Sequence, residues 1–393
     1  MIPVARPWMD DREADAARRA IRSGWVTQGP ETEAFEREFA AAVGAQHACA
    51  VSSCTAALHL ALHALGVGAG DEVITVSHSF IATANAIRYC GAIPVFVDIE
   101  AATFNIDPTL IESAITSRTK AILCVHQVGM PCDLDAILAI AERRGLHVVE
   151  DAACAAGSEI RWRGTWERIG KPHGHVACFS FHPRKLIATG DGGMLTTADA
   201  GLDARFRLLR QHGMSVPDRV RHASAAVVFE DYQEVGFNYR LTDIQAAIGR
   251  EQLTRLPSML ERRRVLASAY TRALHAIDGV SVQAEPAWAR SNFQSFLVRL
   301  PEGADQRAVM QQMLDAGVAT RRGVMNAHRE PAYAGDGWRA ASSLAESERA
   351  QDGAIVLPLY HQMTDEDFER VVTQLEWIVR PKRLSSGVPK KPE

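Results

Sequence analysis

The stretch CFSFHPRKLIATGDGGMLTT, residues 178–197, carries the residues best suited to covalent chemistry. An apolar strand pattern ends at Phe181, and Ser180, His182 and Lys185 stand close together before a turn built from Gly190, Gly192 and Gly193. A lysine just beyond a buried strand reaches a pocket at the edge of a sheet. Partial desolvation and nearby charge are expected there to lower its pKa and leave a nucleophilic amine. The plainer alternative is a solvated loop lysine, the usual setting for that side chain.

Two further stretches supply what such an amine would need. In HVVEDAACAAG, residues 147–157, Glu150 and Asp151 close an apolar run. A carboxylate at that place requires a partner, because a buried unpaired charge is costly. A pyridinium N–H would be one; the competing reading is an acid that caps the next helix. In SSCTAALHLAL, residues 52–62, Ser52 or Ser53 can cap a helix whose backbone N–H groups at Thr55 and Ala56 suit a phosphate dianion, with the Ser180 hydroxyl adding a donor. On its own this last signal is weak, since most capped helix starts bind no anion. Pyridoxal 5′-phosphate (PLP), an electron sink when its ring nitrogen is protonated, would be one ligand for an amine, a ring partner and a phosphate cradle of this kind.

The elements that would position these residues read as an α/β chain. Helix patterns at Asp10–Ile21 and Glu31–Val43 precede a buried helix at SSCTAALHLALHAL, which ends at the Gly66, Gly68 and Gly70 cluster. Strand-like runs then alternate with helices: DEVITV, IPVFVDI, KAILCVH, LHVVED, VACFSF and GGMLTT. Short strands apolar on both faces predict a mainly parallel central sheet flanked by helices, with ligands at the carboxyl ends of its strands. After about Leu256 the pattern becomes a long charged helix, further strands and a closing helix at Glu366–Val379. The expected organisation is a large domain over residues 1–255 and a smaller C-terminal α+β domain over residues 256–393 that ends in a frayed tail.

Bulk properties narrow the function classes. Residues are 47% apolar and 23% charged, and the net charge is -4, which argues against a broadly basic nucleic-acid surface. Seven scattered cysteines without a CxxC pair suit reduced thiols better than disulfides or a zinc site. His126, His182 and His328 lack ligand spacing, so no metal is expected. No apolar run approaches membrane-spanning length, and acidic residues occupy the place of a signal-peptide core. The expected location is the cytoplasm, with a small molecule as partner.

From about Pro7 to Val379 the chain resembles the DegT/DnrJ/StrS family of PLP-dependent sugar aminotransferases, of fold type I. The resemblance rests on SGWVTQGPETEAFEREFA, SSCTAALHLAL, DEVITVSHSFIATANAI, PVFVDIEAATFNID, VHQVGMPCDLDAI, EDAACAAG, SFHPRKLIATGDGG, GFNYRLTDIQAAIGREQL and GVATRRGVMNAHREPAY. It implies that Lys185 holds PLP as a Schiff base and that Asp151 pairs with the pyridine nitrogen. Phe80 would stack on the ring, and Thr55, Ala56 and Ser180 would hold the phosphate. Asn238 would reach the phosphate in a neighbouring subunit, implying a homodimer with shared sites; a turn before the next helix is the alternative for that segment. His328 would lie near the substrate entrance, and Arg321 or Arg322 could receive an oxyanion.

Two positions depart from the family's pattern: Cys154 stands where glutamine is common, a cofactor-binding position that the resemblance places near the phenolic oxygen of PLP, and Cys54 where glycine is. The implied reaction moves an amino group from L-glutamate, or L-glutamine, to a keto group of a nucleotide-linked keto-deoxysugar. A cyclitol or other ketone would fit the same residues. Dehydratases of the superfamily replace the lysine by histidine, whereas Lys185 is retained here; a catalytically idle regulator is the rival from outside enzymology.

Overall fold

The computed structural model describes residues 1–216, 221 and 224–380, and the expected C-terminal tail lies outside them. Eight strands form the central sheet. They are β1 (His47–Val51), β2 (Glu72–Val76), β3 (Ile93–Val97), β4 (Thr119–Val125), β5 (His147–Asp151), β8 (Val176–Ser180), β9 (Gly193–Thr197) and β14 (Arg339–Ala340). The order is β1-β9-β8-β5-β4-β2-β3-β14. Neighbours from β8 to β14 run parallel, and β9 is antiparallel to both β8 and β1. The expected mainly parallel sheet of a fold-type I aminotransferase is therefore present, with β9 as its one reversed strand.

Local sequence explains these elements. Helix α1 (Asp11–Ser23) opens with a capping box between Asp10 and Glu13 and stops at the left-handed Gly24. Helix α2 (Pro30–Val43) starts with Pro30 in its first turn, where a missing N–H costs nothing. Helix α3 (Cys54–Ala64) is capped by Ser53 and buries all but three of its residues, Thr55, His63 and Ala64, against β8, β9 and helix α4 (Ala82–Tyr89). Strand β2, EVITV, is buried at every position, as expected of a strand covered on both faces.

Two pieces were not expected from the sequence. Strand β1, HACAV, lacks β-branched residues until Val51 and is held by the β9 ladder rather than by propensity. The hairpin of β6 (Glu159–Trp162) and β7 (Thr165–Arg168) and its partner β11 (Ala289–Arg290) form a separate small sheet. The further strands expected after Leu256 are present in a four-stranded antiparallel sheet, β10-β12-β15-β13, of β10 (Ser281–Val282), β12 (Phe296–Arg299), β13 (Arg321–Arg322) and β15 (Ala354–Leu357). Its core gathers Tyr270, Val298, Met313, Leu357 and Leu375.

The division expected at residue 255 falls inside a single helix, Asp243–Leu274, which continues through Pro257. Packing keeps that helix whole despite the lost backbone bond: α1 and α2 lie along it. Buried Arg255 within it also bonds Asp10 at 2.5 Å and Glu13 at 3.0 Å.

One buried carboxylate ties the sheet's far edge together. Glu72, at the start of β2, is fully buried and bonds Arg118, Thr116 and Arg339 of β14. Burial would raise its pKa, but these donors outweigh burial and hold it down at about 2. A carboxyl held below its unfolded value stabilises the fold above the unfolded pKa and loses that contribution as pH falls toward 2. Because Arg118 is more than half exposed, the net worth is about 1–2 kcal/mol. Glu72→Gln should therefore lower the melting temperature at pH 7 and narrow that difference progressively below pH 4.5, as a thermal melt series across pH would register.

Candidate active site

Because β1, β2, β4, β5 and β8 all point one way, the segments that follow them meet at one edge of the sheet. Those segments carry Ser53, Phe80, His126, Asp151 with Cys154, and Lys185 respectively. No spacing along the chain reveals this convergence. Strand direction alone produces it.

Asp151 is only 5% exposed. Thr83, in the first turn of α4, donates its hydroxyl to one carboxylate oxygen at 2.7 Å, and the Ala153 N–H donates to the other at 3.1 Å. Ser79 bonds Thr83 in turn at 2.7 Å. Burial pushes the Asp151 pKa up from the usual carboxylate range, against the pull of Thr83, Ala153, Lys185 and His126. Glu150 points to the opposite face, as alternation along a strand requires. It bonds buried His126 at 3.0 Å and the Gly174 N–H at 3.1 Å, while the Asp151 carbonyl accepts the His126 N–H at 3.1 Å. His126 thus braces the strand end that carries Asp151.

The Lys185 amine lies 3.0 Å from the Cys154 sulfur. Its expected pKa shift is reversed. Burial does act to lower it, but Cys154, Cys54 and Asp151 favour the ammonium and the net direction is upward. The sequence reading counted burial and missed the thiols and the carboxylate that folding gathers around the nitrogen.

At the helix α3 end, Ser53 caps the backbone by accepting the Ala56 N–H at 3.1 Å, whereas no hydrogen bond to the Thr55 N–H is found among the described residues. Of the two expected backbone donors, one is already engaged. Gly193 faces Ser180 across the β8–β9 ladder, and a Cβ there would lie 2.5 Å from the Ser53 carbonyl carbon. Only glycine lets β9 approach the helix start this closely. Ser180 accepts the His182 N–H at 3.4 Å and is half-buried.

These features suit PLP. A dianion matches the free donor of α3, and a protonated ring nitrogen matches the buried carboxylate of Asp151. Phe80 stands 63% exposed three residues before Thr83, an aromatic face without a stacking partner among the described residues. Such a face is complementary to a flat ring.

The sequence profile of the DegT/DnrJ/EryC1/StrS aminotransferase family matches residues 7–376. The chain belongs to that family. It is 38% identical over 383 residues to the spore coat polysaccharide biosynthesis protein SpsC of Bacillus subtilis, covering 96% of this chain and 97% of SpsC. The crystal structure of the aminotransferase TlmJ from Streptoalloteichus hindustanus superposes with a TM-score of 0.87 at 35% identity, covering 96% and 98% of the two chains. Spr1654 of Streptococcus pneumoniae, solved in PLP and PMP forms, reaches a TM-score of 0.89 at 28% identity in the PMP form, covering 96% and 99%. The chain is a PLP-dependent transaminase.

The remaining expected residues of this aminotransferase sit as follows. Asn238 is exposed, and its neighbour Tyr239 bonds His59 at 3.0 Å and accepts the Ser52 N–H through its carbonyl at 2.8 Å. The segment therefore runs beside the start of α3. His328 reaches the carboxyl end of β2, where its two ring nitrogens bond Ser77 at 2.7 Å and Glu348 at 3.1 Å. Both nitrogens are thus committed within the chain. Arg321 and Arg322 lie exposed on β13, and Arg322 pairs with Glu330 at 2.9 Å. His182 accepts the Arg184 N–H and stays half-buried.

Thr83 and Ser79 escaped the sequence reading, because a threonine in a helix's first turn gives no sign of which carboxylate it will meet. Thr83→Val keeps the shape and removes the donor. The Asp151 pKa should rise further, so the acid limb of kcat/KM should move to higher pH, with about a tenfold loss of rate near neutrality for a hydrogen bond to a charged group. A pH–rate profile of the amino-donor half-reaction measures it.

Proposed function

We propose that this transaminase moves an amino group from L-glutamate, or L-glutamine, to a keto group of a nucleotide-linked keto-deoxysugar. The observation that carries the reading is the meeting of Lys185 and Asp151 at one sheet edge beside the capped start of α3. The similarity to SpsC, a protein of polysaccharide biosynthesis, supports a sugar as the acceptor.

Bound PLP supplies the electron sink that makes the substrate's Cα–H acidic. Asp151 is the residue that holds the proton on the pyridine nitrogen, and Thr83 and Ala153 keep its carboxylate aimed. Lys185 would hold the cofactor through its amine and, once freed, would serve as the base and acid that moves the proton at the substrate carbon. The Thr55 N–H and the Ser180 hydroxyl would receive the phosphate, with Ala56, whose N–H Ser53 holds, beside them, and Phe80 would cover one face of the ring. Cys154 lies at the lysine. His328 orients the loop that borders the acceptor, and Arg321 is the candidate for an anionic group of the substrate.

Asn238 completes the phosphate site of a second copy, which makes the working unit a homodimer. The exposed apolar residues Val227, Phe229, Tyr232 and Val235, just before Asn238, support that reading, since such a run on a monomer's surface calls for a cover. Residues 1–255 and 256–393 act as large and small domains around the cofactor. The cytoplasm is the proposed place of work; no described helix is long and apolar enough to cross a membrane.

The test is the visible spectrum of the PLP-loaded protein before and after L-glutamate, without acceptor. Glutamate should convert the absorption of lysine-bound cofactor to that of the amine form, and Lys185→Ala should lose turnover by at least about a thousandfold. A spectrum unmoved by glutamate and by glutamine would overturn the donor assignment, and substantial turnover by Lys185→Ala would overturn the role of the lysine.

A further inference from the structure

Among the described residues, the Lys185 amine has a single hydrogen-bond partner, the Cys154 sulfur at 3.0 Å. The other charged or titratable groups that face it come from every element packed around it: Asp151 from the end of β5, Cys54 from the start of α3, and His182 from the turn of Lys185 itself. Asp151 spends its two oxygens on Thr83 and Ala153, and the Cys54 thiol is turned to the Cys178 carbonyl at 3.5 Å. Among these groups, Cys154 is the one whose polar atom lies within hydrogen-bond distance of the amine. Its backbone is fixed from behind, because Asn292 donates its amide to the Cys154 carbonyl at 2.8 Å and to the Ala156 carbonyl at 2.9 Å. The sulfur is thus presented to the lysine by a rigid turn.

We propose that Cys154 is a positioning residue whose sulfur docks the Lys185 amine and sets the pH below which the chain captures its cofactor slowly. The inference rests on the reading of Lys185 as the cofactor-binding lysine. Capture requires the neutral amine: its nitrogen attacks the cofactor's aldehyde carbon, a carbon–nitrogen double bond forms, and the carbonyl oxygen leaves as water. An ammonium has no lone pair for that attack, so whatever stabilises it delays capture. The same docking keeps the released lysine beside the reacting carbon during turnover instead of letting its long side chain sample solvent. Burial alone would push the lysine toward the neutral amine; the sulfur works against burial. A residue without an acceptor at position 154 removes that opposition.

The experiment follows the growth of the visible absorption band when PLP is added to the full-length cofactor-free chain, as a function of pH, for the unaltered protein, Cys154→Ala, Cys154→Ser and Lys185→Ala. The acid limb of the capture rate should move down by about one pH unit in Cys154→Ala. That corresponds to a roughly tenfold faster capture at any pH below both limbs. Cys154→Ser, which keeps an acceptor of similar size, should lie between the two. Coincident limbs for the unaltered protein and Cys154→Ala would overturn the proposal. Competitive acetylation of Lys185, read by peptide mass, gives the same pH dependence without PLP and decides the matter through Cys154→Ser if the alanine variant folds poorly. An undiminished band in Lys185→Ala would instead overturn the reading on which the proposal rests, so the two failures are distinguishable.

Discussion

A carboxylate held at 5% exposure on the end of a central strand is the constraint around which this molecule is arranged. Asp151 cannot be left bare at that depth, because an unpaired charge costs several kcal/mol even after the protein relaxes. Two donors from separate elements meet it: Thr83 from the helix that follows β2, and the Ala153 N–H from its own turn. Neither is a cation. The site therefore keeps an electrostatic demand that a cation such as a protonated ring nitrogen would satisfy, in keeping with the roles proposed for Asp151 and Lys185.

The rest of the fold keeps the edge of the sheet in register for that purpose. Parallel strands bring the segments after β1, β2, β4, β5 and β8 to the same side, and His126 and Glu150 pin β4 to β5 just behind Asp151. The reversed strand β9 lets Gly193 press against Ser53, so the helix start and the lysine turn share a wall. The long helix joins these parts to the remainder. Asp243 in its first turn accepts the N–H groups of Gly29, Glu31 and Thr32, capping α2 from another element, while Gln245 donates to the Asp191 carbonyl in the turn that follows Lys185. Loss of register in any of these ladders would reach the lysine through backbone contacts rather than through solvent.

Much of this was legible in the linear chain. The central helices and the strands KAILCVH, LHVVED and VACFSF announce themselves, because burial on both faces forces continuous apolar runs and capping residues mark the helix ends. Strand β1 did not, since His47 to Ala50 have little strand preference and are held by the ladder with β9. The change of pattern near residue 255 is no break in the chain's structure, for a similar reason. Composition changes there, yet one helix runs through the change, since tertiary packing overrides the local signal of Pro257. The pKa of Lys185 was misread because its shift depends on Cys154, Cys54 and Asp151, all of which lie more than thirty positions away.

What the sequence by itself determined is the inventory and the order: which residues could do the chemistry, that they sit on strand ends of an α/β chain, and which family the spacing resembles. Periodicity, caps and motif residues are local properties, and a linear chain displays them. The tertiary structure decided who meets whom. It set Thr83 on Asp151, Cys154 on Lys185, Ser77 on His328 and Asp243 on the start of α2. Partnerships of this kind depend on strand order, strand direction and helix packing, which are collective solutions to burying one core, and no stretch of residues carries them alone.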